Sequence, residues 1–243
     1  MSRLYEELAE HYHAMYQHIF DYDAECAALD ALLRPLGARR VLEVGCGSGA
    51  LARRLVARGY AYLGVDLSEP MLQIARREVD AAFQRADVRT MQVDGAFDAA
   101  LVTGRTLSHL TTTLDVISAL RSLEASLTPG GLLWLDVFDA AGIFATLRPG
   151  VPTTSTQEVR HGDTIWRRDS QLEVNLATGW TWDWRSRLTV TTPSGAASYD
   201  DMTTLRAFTA DELRLLLDLT GFSDAEVRSS PRVLTATARK PTG

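Results

Sequence analysis

The sequence predicts an α/β fold, a parallel sheet with helices on both faces, joined by an N-terminal helical segment and an antiparallel β insertion. Three observations predict it. Strand-length apolar runs alternate with helix-length amphipathic runs over residues 40–138. A glycine cluster, Gly45-Cys46-Gly47-Ser48-Gly49, separates the first such strand from the helix after it. Beyond Arg148 the helical period gives way to Thr, Val and Trp broken by turn residues.

Each element follows from local pattern. Leu4, Leu8, Tyr12, Met15 and Ile19 form one apolar stripe, which predicts an opening helix. A second helix through Cys26, Leu29, Leu32 and Leu33 is stopped by Pro35 and Gly37. Strands are expected at 41–44, 60–65, 83–86, 97–102 and 132–138, with helices at 50–58, 70–82 and 114–127 between them. Right-handed crossovers of this length build a parallel sheet. Trp180, Trp182 and Trp184 alternate, so they share one face of a strand, either as a wall over a ligand or as the core of a small sheet. Turns at 177–179 and 193–195 mark antiparallel connections. Thr209 with Glu212 reads as a capping box, and strands at 222–227 and 233–238 end the chain. Three units result: a helical lid at 1–38, a core at 39–147 and 202–243, and an antiparallel insertion at 148–201.

Composition narrows the function. The 243 residues are 46% apolar and 23% charged, which suits one folded domain with an elaboration. A net charge of -6 argues against a nucleic-acid partner. Of the 25 basic residues only Lys240 is a lysine, and the arginines are scattered. Cys26 and Cys46 make no disulfide framework, and residues 1–7 carry no hydrophobic signal core. No apolar run could span a bilayer. These features predict a soluble cytoplasmic protein, monomer or homodimer, whose partner is a small molecule rather than nucleic acid or membrane. His11, His13 and His18, at spacings of two and five, do not share a helical face, so no metal site is expected.

The glycine cluster lets a ligand approach the backbone, and the following helix N-terminus favours negative charge. With Ala50 it also satisfies a loose dinucleotide pattern, so a nucleotide-binding oxidoreductase is one reading. Three acids sharpen the picture. Glu43 lies two residues before the glycines, where it suits a cationic amino-acid moiety better than a pyrophosphate. Asp66 ends the second strand, where a carboxylate can take both ribose hydroxyls, and Asp87 follows the third, placed for an exocyclic adenine amine.

With these residues in place, the sequence resembles the class I S-adenosylmethionine-dependent methyltransferases. Residues 41–49 look like their first motif and Gly64-Val65-Asp66-Leu67-Ser68-Glu69-Pro70-Met71-Leu72 like their second. Residues 97–100 and 127–131 are similar to the motifs at the fourth strand and before the fifth. The resemblance implies a Rossmann-like seven-stranded sheet with S-adenosylmethionine as cofactor and S-adenosylhomocysteine as product. It implies that Glu43, Gly45, Cys46, Gly47, Gly49 and Thr103 surround the methionine part. Asp66 and Leu67 then hold the ribose, with Asp87, Val88 and Met71 at the adenine.

Methyl transfer needs an aligned, unprotonated nucleophile beside the sulfonium, just past the fourth strand. His109 stands there as a candidate base or as a packed loop histidine. The segment 103–110 resembles the corresponding loop of small-molecule N-methyltransferases, among them glycine N-methyltransferase and nucleotide-sugar N,N-dimethyltransferases. That resemblance implies a catalytic or orienting His109, with Tyr5 as its catalytic partner. It also implies Tyr16, Tyr22 and Arg206 as acceptor contacts, and a small amine such as an amino sugar as acceptor. Arg105, where the loop differs from those relatives, is expected to alter the acceptor contacts and to point to an anionic group on the acceptor. O-methylation of a hydroxylated metabolite is the alternative, and a non-catalytic S-adenosylmethionine-binding protein stands behind both. The loop departs from those relatives at Gly104, Arg105 and Thr106.

Overall fold

The computed structural model describes residues 2–242. A 3₁₀ turn at Arg3–Tyr5 precedes α1 (Ala9–Tyr16) and α2 (Tyr22–Leu33). Alternating elements follow: β1 (Arg40–Val44), α3 (Ala50–Ala57), β2 (Ala61–Asp66), α4 (Glu69–Glu78) and β3 (Ala82–Arg85). Next come β4 (Phe97–Val102), α5 (Thr113–Ser126), β5 (Leu127–Asp139) and α6 (Ala140–Phe144). The insertion supplies β6 (Thr153–His161), β7 (Thr164–Val174), β8 (Thr181–Thr192) and β9 (Gly195–Phe208). The chain closes with α7 (Ala210–Leu219), β10 (Ser223–Ser230) and β11 (Val233–Arg239).

Seven strands lie in the order β3-β2-β1-β4-β5-β11-β10, with β11 antiparallel to both of its neighbours. The described residues hold eleven strands rather than seven, because the insertion joins the same sheet. Phe138 pairs with Ala207 and Asp139 with Phe208, so β9 extends from the far end of β5. Residues 201 and 202 lie together inside β9. β6 to β9 pair antiparallel throughout.

Successive side chains of β1 feed opposite faces of the sheet. Leu42 and Val44 pack with Leu120 and Leu123 of α5 and Leu216 and Leu217 of α7. Val41 packs with Leu29 and Leu33 of α2 and Leu51 and Leu55 of α3. Burying both faces explains the nearly continuous apolar runs of β1, β4 and β5.

The opening segment departs from the single helix its stripe predicts. Asp201 accepts from the Ser2 hydroxyl and, at 2.9 Å, from the Arg3 amide. The Tyr5 carbonyl accepts from the Ser68 hydroxyl. These long-range bonds hold a 3₁₀ turn, and the helix starts only at Ala9. Further on, Arg77 grips Glu10 bidentately at 2.8 and 3.1 Å, and His13 Nδ1 lies 2.9 Å from Ser48 Oγ. The lid is thereby fastened to α4 and to the glycine loop.

Candidate active site

The ends of β1, β2 and β4 bring three loops to the carboxyl edge of the sheet, where open α/β sheets bind ligands. Between them and the lid lies a cavity of about 670 Å³. Gly45, Gly47, Asp66, Leu67, Asp87 and Val88 line it. Ser2, Tyr5 and Tyr12 of the N-terminal segment also line it, as does His109.

Gly45 adopts φ +77° immediately after β1. A Cβ there would lie 2.0 Å from Thr106 Oγ1, so the post-β4 loop reaches the cavity only because this residue has no side chain. Asp66 Oδ2 accepts from the Gly47 amide and Oδ1 from the Ser68 amide, each at 2.9 Å. One carboxylate thus ties the glycine loop to the start of α4 while facing the cavity. Burial pushes its pKa up, and those amide bonds pull against the shift.

Asp87 accepts from the Arg89 amide and guanidinium, and Arg89 continues to Asp115 at 3.0 Å. The guanidinium beside it holds the Asp87 carboxyl below its ordinary value. Arg89 and Asp115 line the cavity but carry no signal in the sequence, since their pairing spans 26 residues. Residues 202–204 of β9 also reach the cavity, which brings the insertion to its rim.

Glu43 is 2% exposed and accepts from Tyr62 at 2.5 Å and Thr103 at 3.1 Å. Burial raises its pKa to about 8. Glu43 thereby ties the end of β4 to β2, and neither Glu43 nor Thr103 lines the cavity. Cys46 is buried against β2, its sulfur 2.9 Å from where a Gly64 Cβ would stand. Gly49 is the N-cap of α3. Met71, 2% exposed, does reach the cavity wall.

His109 ends a 3₁₀ turn at Thr106–His109, pinned where the Phe138 amide donates to Ser108 Oγ at 3.1 Å. Its ring is exposed within the recess. The crowding walls push its pKa down to about 4, against a weaker upward pull from Asp201. Its Nε2 lies 3.4 Å from the Tyr5 hydroxyl, and burial raises the Tyr5 phenol. Both groups are neutral at pH 7, so each can take part in hydrogen bonds to an acceptor without carrying charge.

The four expected acceptor contacts stand elsewhere. Tyr16 is buried, stacks on Tyr12 at 3.9 Å and accepts from Arg168. Tyr22 begins α2 beneath the Arg54 guanidinium, 5.6 Å from its ring. Arg105, at φ +60°, gives its amide to Asp136 at 2.8 Å and its guanidinium to the same carboxylate at 3.4 Å. Arg206 bridges Glu212 at 2.5 Å and Thr113 at 3.0 Å, strutting β9 to α7 and α5. Each arginine meets one of the protein's own acids, although Nε and Nη1 of Arg206 are enclosed without partners, and neither side chain lines the cavity. Trp182 is fully buried with Phe138 and Phe144, whereas Trp180 precedes β8 and is exposed.

Comparison with known proteins agrees with this geometry. Residues 41–131 match the family described as Methyltransferase domain. The putative methyltransferase YqeM of Bacillus subtilis (strain 168) is 34% identical over 149 residues, 58% of this chain and 59% of that one. The chain therefore spans about three-fifths of that relative. A dTDP-4-amino-2,3,4,6-tetradeoxy-D-glucose N,N-dimethyltransferase of Saccharopolyspora spinosa is 26% identical, covering 87% of this chain and 83% of that one. Among solved structures, S-adenosylmethionine-bound CalS10, an amino pentose methyltransferase from Micromonospora echinaspora, superposes with a TM-score of 0.77. It shares 22% identity, over 91% of this chain and 92% of that one. Strand order and glycine loop together give the chain the fold of these solved methyltransferases, and its residues 41–131 are similar to the methyltransferase domain.

Proposed function

We propose that the chain transfers the methyl group of S-adenosylmethionine to a small-molecule acceptor, most simply an amine. The observation that carries it is one cavity whose lining includes Asp66, Gly47 and Val88 together with His109 and Tyr5. The residues fit the cofactor. Gly47 puts no side chain into the cavity, Asp66 presents a carboxylate to it, and Val88, Leu110 and Met71 give apolar walls for a base. The cavity also carries three carboxylates, Asp66, Asp87 and Asp115, against one guanidinium, Arg89, a balance that suits a cationic ligand.

When bound, the cofactor supplies an already activated methyl group. The protein's part is alignment and exclusion of water. Lid residues Ser2, Tyr5 and Tyr12 shield the cavity. Neutral His109 orients the acceptor by taking a hydrogen bond from it at a ring nitrogen, and the methylated ammonium gives up its proton to solvent. The two relatives named for amino-sugar methylation support an amine over a hydroxyl.

Thermal stability with S-adenosylhomocysteine, S-adenosylmethionine and NAD in parallel tests the cofactor. A ligand at 100 times its Kd adds about 2.7 kcal/mol, and for a chain of this size that raises Tm by about 5–10 °C. A rise with the adenosyl ligands alone supports the proposal, and a rise with NAD alone overturns it. Transfer of labelled methyl groups to amino sugars and small amines then tests the acceptor.

A further inference from the structure

A carboxylate offers about four lone-pair sites to hydrogen-bond donors, and at Asp87 the chain's own groups answer each of them. Oδ1 accepts from the Arg89 amide at 2.9 Å and from Arg89 Nε at 3.0 Å. Oδ2 accepts from the same Nε at 3.1 Å and from Nη2 at 2.5 Å. The resemblance puts the exocyclic amine of the cofactor's purine at this acid. An amine arriving there meets a carboxylate already filled, so it must take a lone pair from the guanidinium.

Arg89 has a second partner to move to. Its Nη1 already reaches Asp115 Oδ1 at 3.0 Å, and Asp115 Oδ2 accepts from the Thr112 hydroxyl at 2.8 Å. Among the described residues these are the two donors on the Asp115 carboxylate, so each oxygen keeps a lone pair for another N–H of the fork. Arg89, Asp87 and Asp115 all line the cavity, beside Val88 and Leu110. Their side chains are 40%, 24% and 33% exposed. An ion pair this open to water contributes little to stability, so a purine seated in the cavity can break it.

We propose that Arg89 competes with the purine's exocyclic amine for Asp87, and yields by moving its fork wholly onto Asp115. The inference rests on the methyl-transfer reading and makes Arg89 a positioning residue that acts through Asp87. It carries a consequence for selectivity. A 6-oxo purine presents an acceptor where adenine presents a donor. Such a base takes a hydrogen bond from Arg89 and leaves the ion pair in place. Arg89 therefore lowers affinity for the adenosyl group and blunts its discrimination from the 6-oxo form.

Calorimetric titration of the full chain with S-adenosylhomocysteine and with S-inosylhomocysteine, its 6-oxo counterpart, tests this. The proteins are wild type, Arg89→Met, Asp115→Asn and the double variant. Arg89→Met keeps the apolar stem without the donors. It should bind S-adenosylhomocysteine about threefold or more tightly than wild type, and S-inosylhomocysteine no more tightly. Asp115→Asn removes the alternative partner of the guanidinium, so it should weaken S-adenosylhomocysteine, and that loss should vanish in the double variant. A merely structural Arg89 would instead weaken both ligands when replaced and leave the Asp115→Asn loss intact. S-adenosylhomocysteine affinity in Arg89→Met equal to or below wild type overturns the competition. So does an equal gain for both ligands, because that gain would not arise at the amine. Should Arg89→Met not fold, Arg89→Lys decides. Lysine has no bidentate fork, so S-adenosylhomocysteine should still gain, by a smaller factor, and no gain refutes the proposal. Wild type that takes no S-adenosylhomocysteine overturns the methyl-transfer reading and the proposal with it, whereas the other negative outcomes leave that reading standing.

Discussion

The Tyr5 hydroxyl and His109 Nε2 lie 3.4 Å apart across the mouth of the cavity, their rings edge-on at 5.5 Å. One residue comes from the lid and the other from the loop after β4, 104 positions away. Docking the lid therefore completes the pair. His109→Ala should keep its affinity for S-adenosylhomocysteine and lose about 10²-fold in turnover, the usual cost of a misplaced acceptor. Tyr5→Phe should lose less, and the double variant less than the product of the two, because the residues act as one unit. Losses that multiply would show that they work separately.

Because His109 is held near a pKa of about 4, it stays neutral across the range where amines titrate. The acid limb of kcat/KM between pH 5 and 9 should then follow the acceptor's own ammonium pKa and move when a different amine is used. A limb fixed near pH 6.5 for every acceptor would contradict this. The same depression has a stability consequence. The folded protein binds the His109 proton less readily than the unfolded chain, so stability falls as pH drops from about 6.5 toward 4. His109→Gln should flatten that part of the melting curve.

Glu43 has the opposite sign. Its folded pKa of about 8 stands above the ordinary 4.5, so its contribution is fully present at pH 4.5 and is lost as pH rises through 8. Glu43→Gln should match wild type in Tm near pH 5 and exceed it near pH 8.5. A variant less stable than wild type at both values would mean that the Tyr62 and Thr103 hydroxyls need a charged acceptor.

Much of this was legible in sequence, because strand and helix periods, glycines and strand-end acids are local signals. β1 through β5 and the crossover helices follow their apolar patterns, and the Thr209–Glu212 capping box forms as spaced. Partnerships were not legible. Arg105 and Arg206 look like exposed acceptor contacts until Asp136 and Glu212 are seen to take them. Arg168 carries no local signal, since its burial depends on strand pairing and on a lid residue 152 positions distant. Glu43 reads as a ligand contact, yet Tyr62, paired with Val41 on the neighbouring strand β2, donates its hydroxyl to the Glu43 carboxyl. Periodicity reports which face a residue occupies. It does not report which distant group answers its charge.

The capping box offers a test free of the active site. Thr209 accepts from the Glu212 amide at 3.1 Å, and Glu212 reaches back to the Thr209 amide while also holding Arg206. Thr209→Ala should cost about 1 kcal/mol. Glu212→Gln should cost more, about 3 kcal/mol or above, because it leaves the buried Arg206 without its counter-charge. Equal losses in chemical denaturation would show that Arg206 does not depend on Glu212.

The glycine loop separates two kinds of cost. Gly45→Ala and Gly47→Ala both place a side chain at positive φ, +77° and +52°, which alone costs about 1–3 kcal/mol. At Gly47 the new Cβ meets only Met71 Cε at an ordinary 3.4 Å. At Gly45 it meets Thr106 Oγ1 at 2.0 Å and Thr106 Cβ at 2.8 Å, so no rotamer of Thr106 relieves it. The whole 103–109 loop must shift, and His109 with it. Gly47→Ala should therefore lower Tm modestly and weaken S-adenosylhomocysteine. Gly45→Ala should lower Tm further and also reduce turnover at saturating cofactor. Thr106→Gly in the Gly45→Ala background removes the obstructing atoms and should restore part of the stability, leaving the cost of positive φ. No recovery in that double variant would mean that backbone strain, and not the approach of Thr106, is what requires glycine after β1.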